Sequence, residues 1–143
     1  MGRDLTAEDQ ELRALLGDVH TIAMVGLSSR QGRPSYEVAR YLQRHGYRIV
    51  PVNPNETEVL GEPAYASLRD LPDDLQIDVV DVFRRAEHTP EVARDAVAIG
   101  AKVLWLQEDI VSEESAAIAT DGGLDVIMGV CIRHVRERLL ATD

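Results

Sequence analysis

The chain has 143 residues, 45% of them hydrophobic, 28% charged and only 4% aromatic, which excludes a disordered polymer and calls for an aliphatic core. Its formal net charge of -10 excludes a general nucleic-acid binder, because neutralising phosphates takes a basic surface. A single cysteine, Cys131, excludes an intrachain disulfide and a Cys-rich zinc site, and suits a reducing, cytoplasmic compartment.

The composition and the absence of any linker predict one domain over residues 1–143, with an N-terminal helix inside residues 1–20. No stretch approaches the ~20 apolar residues of a membrane span, and the acidic N-terminus does not read as a secretory signal. "LTAEDQELRALL" opens with Thr6 and has Asp9 three residues later, the spacing of a capping box. Leu5, Leu12, Leu15 and Leu16 give that helix its apolar face. "TIAMV", Thr21 to Val25, is a near-continuous apolar run that fits a strand covered on both sides.

"SYEVARYLQRHG" reads as the next helix, with Pro34 in its first turn and Gly46 past its end. "YRIVPV" is a second strand stopped by "NPN", and "IDVVDVF" is a third. The segment between them reads as a loop with one short helix near Ser67 to Leu71. "TPEVARDAVAIG" is a helix with Thr89 as its N-cap and Gly100 at its end. "AKVLWL" is the fourth strand, "SEESAAIATDGG" a helix opened by Ser112, and "LDVIMGV" the fifth strand. A last helix runs from about Ile132 to Leu140. Short strands alternating with helices mean an α/β fold with parallel βαβ units wound on both faces of the sheet. Ligands of such sheets bind at the carboxyl ends of the strands.

The loop after the first strand concentrates the chemistry. Gly26 lets the chain turn off the strand, and Ser28, Ser29 and Ser35 supply hydroxyls. Arg30 and Arg33 supply positive charge, and the helix starting at Pro34 aims its free N–H groups at the same place. These features converge on an anion, most simply phosphate. The alternative is an ordinary polar loop with solvated arginines. The G-K-[ST] end of an ATP-hydrolysing loop is missing, so ATP chemistry has no lysine in place. An NAD site also expects an acid at the end of the second strand, where this chain has Asn53 and Pro54. NADP stays open, because Arg30 or Arg33 could face a 2′-phosphate.

"VGLSSRQGRPSYEVARYLQRHGYRIVPVNP", "LGEPAYASL", "DVVDVFRRAEHTPEV" and "VLWLQ", followed by the late cysteine, together resemble the small stand-alone CoA-binding proteins. That family is similar to the CoA-binding domain of succinyl-CoA synthetase α subunits and of acyl-CoA synthetases. The resemblance spans about Thr21 to Leu139 and implies a three-layer, Rossmann-like sheet of five strands in the order 3-2-1-4-5. It implies coenzyme A as cofactor, with Gly26, Ser28, Ser29, Arg30, Arg33, Pro34 and Ser35 at the phosphates and Asn53 and Pro54 beside the adenosine. Phe83 and Arg84 would line the next strand end. Trp105 and Gln107 would end the fourth strand beside the reversal of the sheet, Trp105 as core and Gln107 facing ligand. The ligase domains are missing from a chain of this length, so a binding protein without ligase activity is expected.

Cys131 is a possible reactive thiol, because a helix start with Arg133 and His134 nearby lowers a thiol pKa; it could exchange with the thiol or disulfide of CoA. In a 3-2-1-4-5 sheet it would sit at an edge strand, away from the crevice, as an inert core cysteine. The competing functions are therefore an NADP-linked or CoA-thiol redox enzyme and a nucleotide or redox sensor using Cys131. The expected partner is a small molecule, with neither nucleic acid nor membrane; monomer and homodimer both stay open, as does a protein partner. No set of His, Asp or Glu has metal-ligand spacing.

Overall fold

The computed structural model describes residues 1–140. Five strands form one wholly parallel sheet: β1 (Thr21–Val25), β2 (Arg48–Val52), β5 (Val79–Val82), β6 (Val103–Glu108) and β7 (Asp125–Gly129), in the order β2-β1-β5-β6-β7. A two-stranded hairpin, β3 (Glu58–Val59) and β4 (Glu62–Pro63), lies between β2 and β5 in the chain. Five helices complete the fold: α1 (Asp9–Asp18), α2 (Pro34–Arg44), α3 (Thr89–Ala98), α4 (Glu113–Asp121) and α5 (Ile132–Leu140).

The apolar runs are buried on both faces because helices cover both. Ile22, Met24, Val79, Trp105 and Ile127 point to one side, where Leu12 and Leu16 of α1, Leu42 of α2 and Ile132 of α5 meet them. Ala23, Val80, Leu104 and Val126 point to the other, against Val92 and Ala96 of α3 and Ala119 of α4. Alternate residues of one strand thus enter different cores, and no polar face is needed. Thr89 and Ser115, both fully buried, share a hydrogen bond of 2.7 Å that joins α3 to α4.

The expected doubly wound parallel sheet is present, reversing direction of travel at β1. Tyr65 forms a single parallel bridge to Val52, outside β2. Taking that bridge as a rudimentary third strand, the sheet keeps the 3-2-1-4-5 pattern with one further strand. In this count the segment read as third, "IDVVDVF", takes the fourth place and pairs with β1 directly. The reversal therefore lies between β1 and β5, and β6, which carries Trp105 and Gln107, is one strand removed from it.

Two helix starts differ from the sequence reading. Thr6 does not cap α1: its hydroxyl accepts from the Met128 N–H, and the helix begins only at Asp9. Thr89 lies inside α3, donating its hydroxyl to Ala86 O at 2.7 Å, because a 3-10 turn at Ala86–His88 precedes it. Both hydroxyls found a tertiary partner better placed than the helix's own N–H groups.

Residues 2–6 run along the outer edge of β7. Leu5 N–H donates to Val126 O at 2.8 Å, and Val126 N–H donates to Arg3 O at 2.9 Å. Gly2 is fixed there: a Cβ would come within 1.7 Å of Leu124 O. Leu5 is buried beneath this strap with α1 and α5.

Candidate functional site

The β1–α2 loop leaves the sheet at the reversal point. Gly26 has φ +89°, and a Cβ there would stand 2.5 Å from Phe83 O. Only glycine meets both conditions, so β1 and β5 can run together to their ends before the chain departs. The loop is locked from within: Ser28 N–H donates to Ser35 Oγ at 3.0 Å, and Arg30 N–H donates to Ser28 Oγ at 3.1 Å. Asn53 reaches across from the end of β2 and donates from Nδ2 to Leu27 O at 3.1 Å.

The start of α2 stays open. Its N-cap is Arg33, and no side chain caps the helix. The first turn's N–H groups and the helix dipole thus face outward, a setting that favours an anion. Arg30 and Arg33 are exposed, and among the described residues neither joins an ion pair. Glu56 was not singled out from the sequence, yet its Oε2 accepts from Ser29 N–H at 2.9 Å. The acid missing from the end of β2 arrives four residues late, carried by a turn. The turn is set by Asn55 N–H on Asn53 Oδ1 and by Glu56 N–H on Asn53 O. The end of β2 itself carries no acid, and the Glu56 carboxylate is engaged by the loop.

Two cavities flank this loop and share Phe83 and Arg84 as a common wall. One, of about 510 Å³, lies over β1 and β2 and is lined by Gly26, Asn53, Pro54 and Ser67. The other, of about 620 Å³, lies between α2 and α5 and is lined by Pro34, Val38, Gln107, Cys131 and His134. Pro34, Val38, Phe83, Ile110 and Cys131 give it apolar wall, and around them stand Arg84, Arg85 and Arg133 together with the acids Glu37, Glu108 and Asp109.

The second cavity ends on the β7–α5 turn, which β6 holds closed. A one-residue register shift between Trp105 and Glu108 re-aims the end of β6. Trp105 donates its indole N–H to Val130 O at 2.8 Å, and Gln107 Oε1 accepts from Ile132 N–H at 3.1 Å. Beneath this floor Asp81 pairs in register with Met24 and Trp105. Asp81 is fully buried, and both its carboxyl oxygens lack a partner among the described residues. Burial without a compensating charge or donor pushes its pKa well above the usual carboxylate range.

The sequence-derived residues therefore divide four ways. Gly26, Asn53 and Pro54 line the first cavity, Pro34 and Gln107 the second, and Phe83 and Arg84 both. Ser28, Ser29, Arg30, Arg33 and Ser35 form the loop and helix start between them; Ser35 is buried, with its hydroxyl oxygen turned inward to Ser28. Trp105 is core, as expected. Cys131 is buried in the hydrophobic core, as the core reading expected, but it does not lie away from the crevice. It follows an edge strand, yet α5 folds back beside α2, and the thiol joins the second cavity's wall. Among the described residues no cluster of three or more metal-ligating side chains occurs, and no helix is long and apolar enough to cross a membrane.

A family profile described as a CoA binding domain matches residues 20–136. The chain belongs to this CoA-binding domain family. YneT of Bacillus subtilis is 42% identical over 123 residues, covering 86% of this chain and 90% of its own. An ADP-forming acetate–CoA ligase II of Archaeoglobus fulgidus is 30% identical over 96 residues, 66% of this chain but 14% of the ligase. A solved hypothetical protein from Pyrococcus horikoshii OT3 superposes with a TM-score of 0.90 at 36% identity, covering 98% of both chains. The CoA-binding domain thus occurs both as a small chain of this size and as a minor part of large ligases.

Proposed function

We propose that this chain binds coenzyme A across the Phe83–Arg84 wall and carries no ligase reaction of its own. In this reading the β1–α2 loop and the start of α2 hold phosphate. Gly26 turns the loop off the strand, Ser28 and Ser29 offer hydroxyls, Ser29 offers the N–H that Glu56 now holds, and Arg30 and Arg33 offer charge. The adenosine lies in the first cavity beside Asn53 and Pro54. The pantetheine arm passes Phe83 and Arg84 into the second cavity, alongside Gln107. The observation that carries the reading is the uncapped start of α2, with two arginines outside any ion pair among the described residues, set between two cavities. Calorimetry with CoA, NAD, NADP and ATP tests it. CoA is expected to bind tightest. NAD binding as tightly as CoA overturns the reading, and NAD is the sharp competitor because Glu56 supplies an acid beside the loop.

The position of Cys131 in the wall of the second cavity supports a second reading, thiol exchange. The Cys131 thiolate would attack one sulfur of CoA disulfide; that S–S bond breaks, a Cys131–CoA disulfide forms, and one CoA thiolate leaves. Incubation with oxidised CoA is expected to add one CoA mass to the wild type and none to Cys131→Ser, while reversible CoA binding persists in both. A wild type that gains no mass under native conditions makes Cys131 a core residue.

A further inference from the structure

We infer that Glu56 is an internal stand-in for the ligand's phosphate, holding the Ser29 N–H until an anion displaces it. The inference rests on the coenzyme-binding reading above and adds to it a residue that sets affinity. The Ser29 N–H belongs to the loop assigned to phosphate, and the group on it is a carboxylate from 27 residues further along the chain. Among the described residues this is the only hydrogen bond Glu56's side chain makes, and it joins no ion pair. Glu37 provides the contrast: it also accepts a loop N–H, from Gly32 at 3.0 Å, but it is tied to Arg40 at 3.2 Å.

The arm that carries Glu56 is fastened on both sides of it. Asn53 N–H donates to Tyr65 O at 2.8 Å and Asn53 Nδ2 to Leu27 O, and beyond Glu56 the Leu60 carbonyl accepts from Gln43 Nε2 at 3.1 Å. The backbone can therefore stay in place while the half-buried carboxylate swings into water. A phosphate oxygen and a carboxylate oxygen cannot share one N–H in line, and two anions at that spacing repel. Ligand binding must then break the Glu56 contact, and removing the carboxylate should tighten binding. The other role for an acid at a strand-end loop is to hold ribose hydroxyls. It predicts the opposite sign.

The test titrates the wild type, Glu56→Gln, Glu56→Ala and Glu58→Gln with CoA and with inorganic pyrophosphate, by calorimetry at one pH and ionic strength. Both Glu56 variants are expected to bind each ligand roughly three- to tenfold tighter. Glu58 is a nearby exposed acid with no bond to the loop, so its variant should change less than twofold. Weaker or unchanged binding by the Glu56 variants overturns the inference, as does an equal gain in Glu58→Gln, which would reduce the effect to net charge. If the wild type fails to bind CoA while Glu56→Gln still tightens pyrophosphate, the coenzyme reading falls and the stand-in survives. If neither CoA nor pyrophosphate binds any of the proteins, both fall.

Discussion

The β1–α2 loop and the β7–α5 turn are built alike and end differently. Each leaves the carboxyl end of a parallel strand through a glycine of positive φ, +89° at Gly26 and +77° at Gly129. Each leads into a helix on the same face of the sheet. At α5 the neighbouring strand closes the site, with Gln107 on the Ile132 N–H and Trp105 on the Val130 carbonyl. At α2 no side chain caps the helix among the described residues, and the Glu56 carboxylate accepts a loop N–H as an anionic ligand would. A strand–glycine–helix turn is thus a neutral device. The side chains of the adjacent strand decide whether its donors are consumed by the protein or left for a guest.

Exchanging the two glycines should break the comparison most sharply. Gly26→Ala meets a backbone carbonyl at 2.5 Å in a left-handed conformation. A loss of about 3 kcal/mol or more in chemical unfolding, together with loss of CoA binding, is expected. Gly129→Ala meets only the end of the Val111 side chain at 3.1 Å, so about 1 kcal/mol is expected there. Equal losses at the two positions would mean that the close approach to Phe83 does not matter.

Charge at the open turn comes next. Arg33→Ala should weaken CoA roughly ten- to hundredfold, the worth of a charge-assisted contact of about 1.5–3 kcal/mol. Its thermal unfolding should be unchanged, since Arg33 is exposed. Comparing Arg30→Ala and Arg33→Ala with CoA, dephospho-CoA and pantetheine identifies the arginine that faces the 3′-phosphate: its loss flattens the preference for CoA. Variants that treat all three ligands as the wild type does would make both arginines solvated surface groups.

Unsealing the closed turn is a smaller step. Gln107→Leu leaves the Ile132 N–H buried without its acceptor, which should cost about 1–2 kcal/mol of stability. It should not raise affinity for pyrophosphate, because Ile132 is fully buried and its N–H stays out of reach of an anion in water. A gain in pyrophosphate binding would show that any opened helix start in this sheet suffices.

Beneath the two turns, Asp81 offers the gentlest perturbation. Its folded pKa lies above the unfolded value of about 3.9. The folded state therefore keeps a proton that the unfolded state releases. Stability is highest below the unfolded pKa and declines as pH rises toward and through the folded one. Asp81→Leu should remove that slope and gain about 1 kcal/mol at pH 7. An unchanged pH profile of unfolding would show that Asp81 finds a partner in solution.

The sheet and its helices were legible because each depends on local pattern. The runs at Thr21–Val25, Val79–Val82 and Asp125–Gly129 are mainly apolar, Asp81 being the exception in the middle of one, and Gly46 and Gly100 end their helices with φ of +93° and +74°. The loop after β1 was legible for the same reason: its glycine, hydroxyls and arginines are consecutive. Glu56 was not, since its contact depends on a turn folding back across 27 residues. The burial of Cys131 was legible but its place beside the second cavity was not, because an edge strand says nothing of where the next helix goes; α5 returns over the sheet to α2. Thr6 has the spacing of a cap, and only the tertiary fold offers it the Met128 N–H instead.

The strap of residues 2–6 has a bearing on how copies of this chain meet. An uncovered outer strand is a template on which a second chain can add its own strand, and growth by such addition has no natural stopping point. Here the template is already filled from within: Val126 N–H donates to Arg3 O, Leu5 N–H donates to Val126 O, and the Thr6 hydroxyl accepts from Met128 N–H. The fit at Gly2 leaves no room for a side chain to lift the strap away from Leu124. The outer backbone of β7 around Val126 is thus already engaged and offers no free ladder there for a second chain's strand.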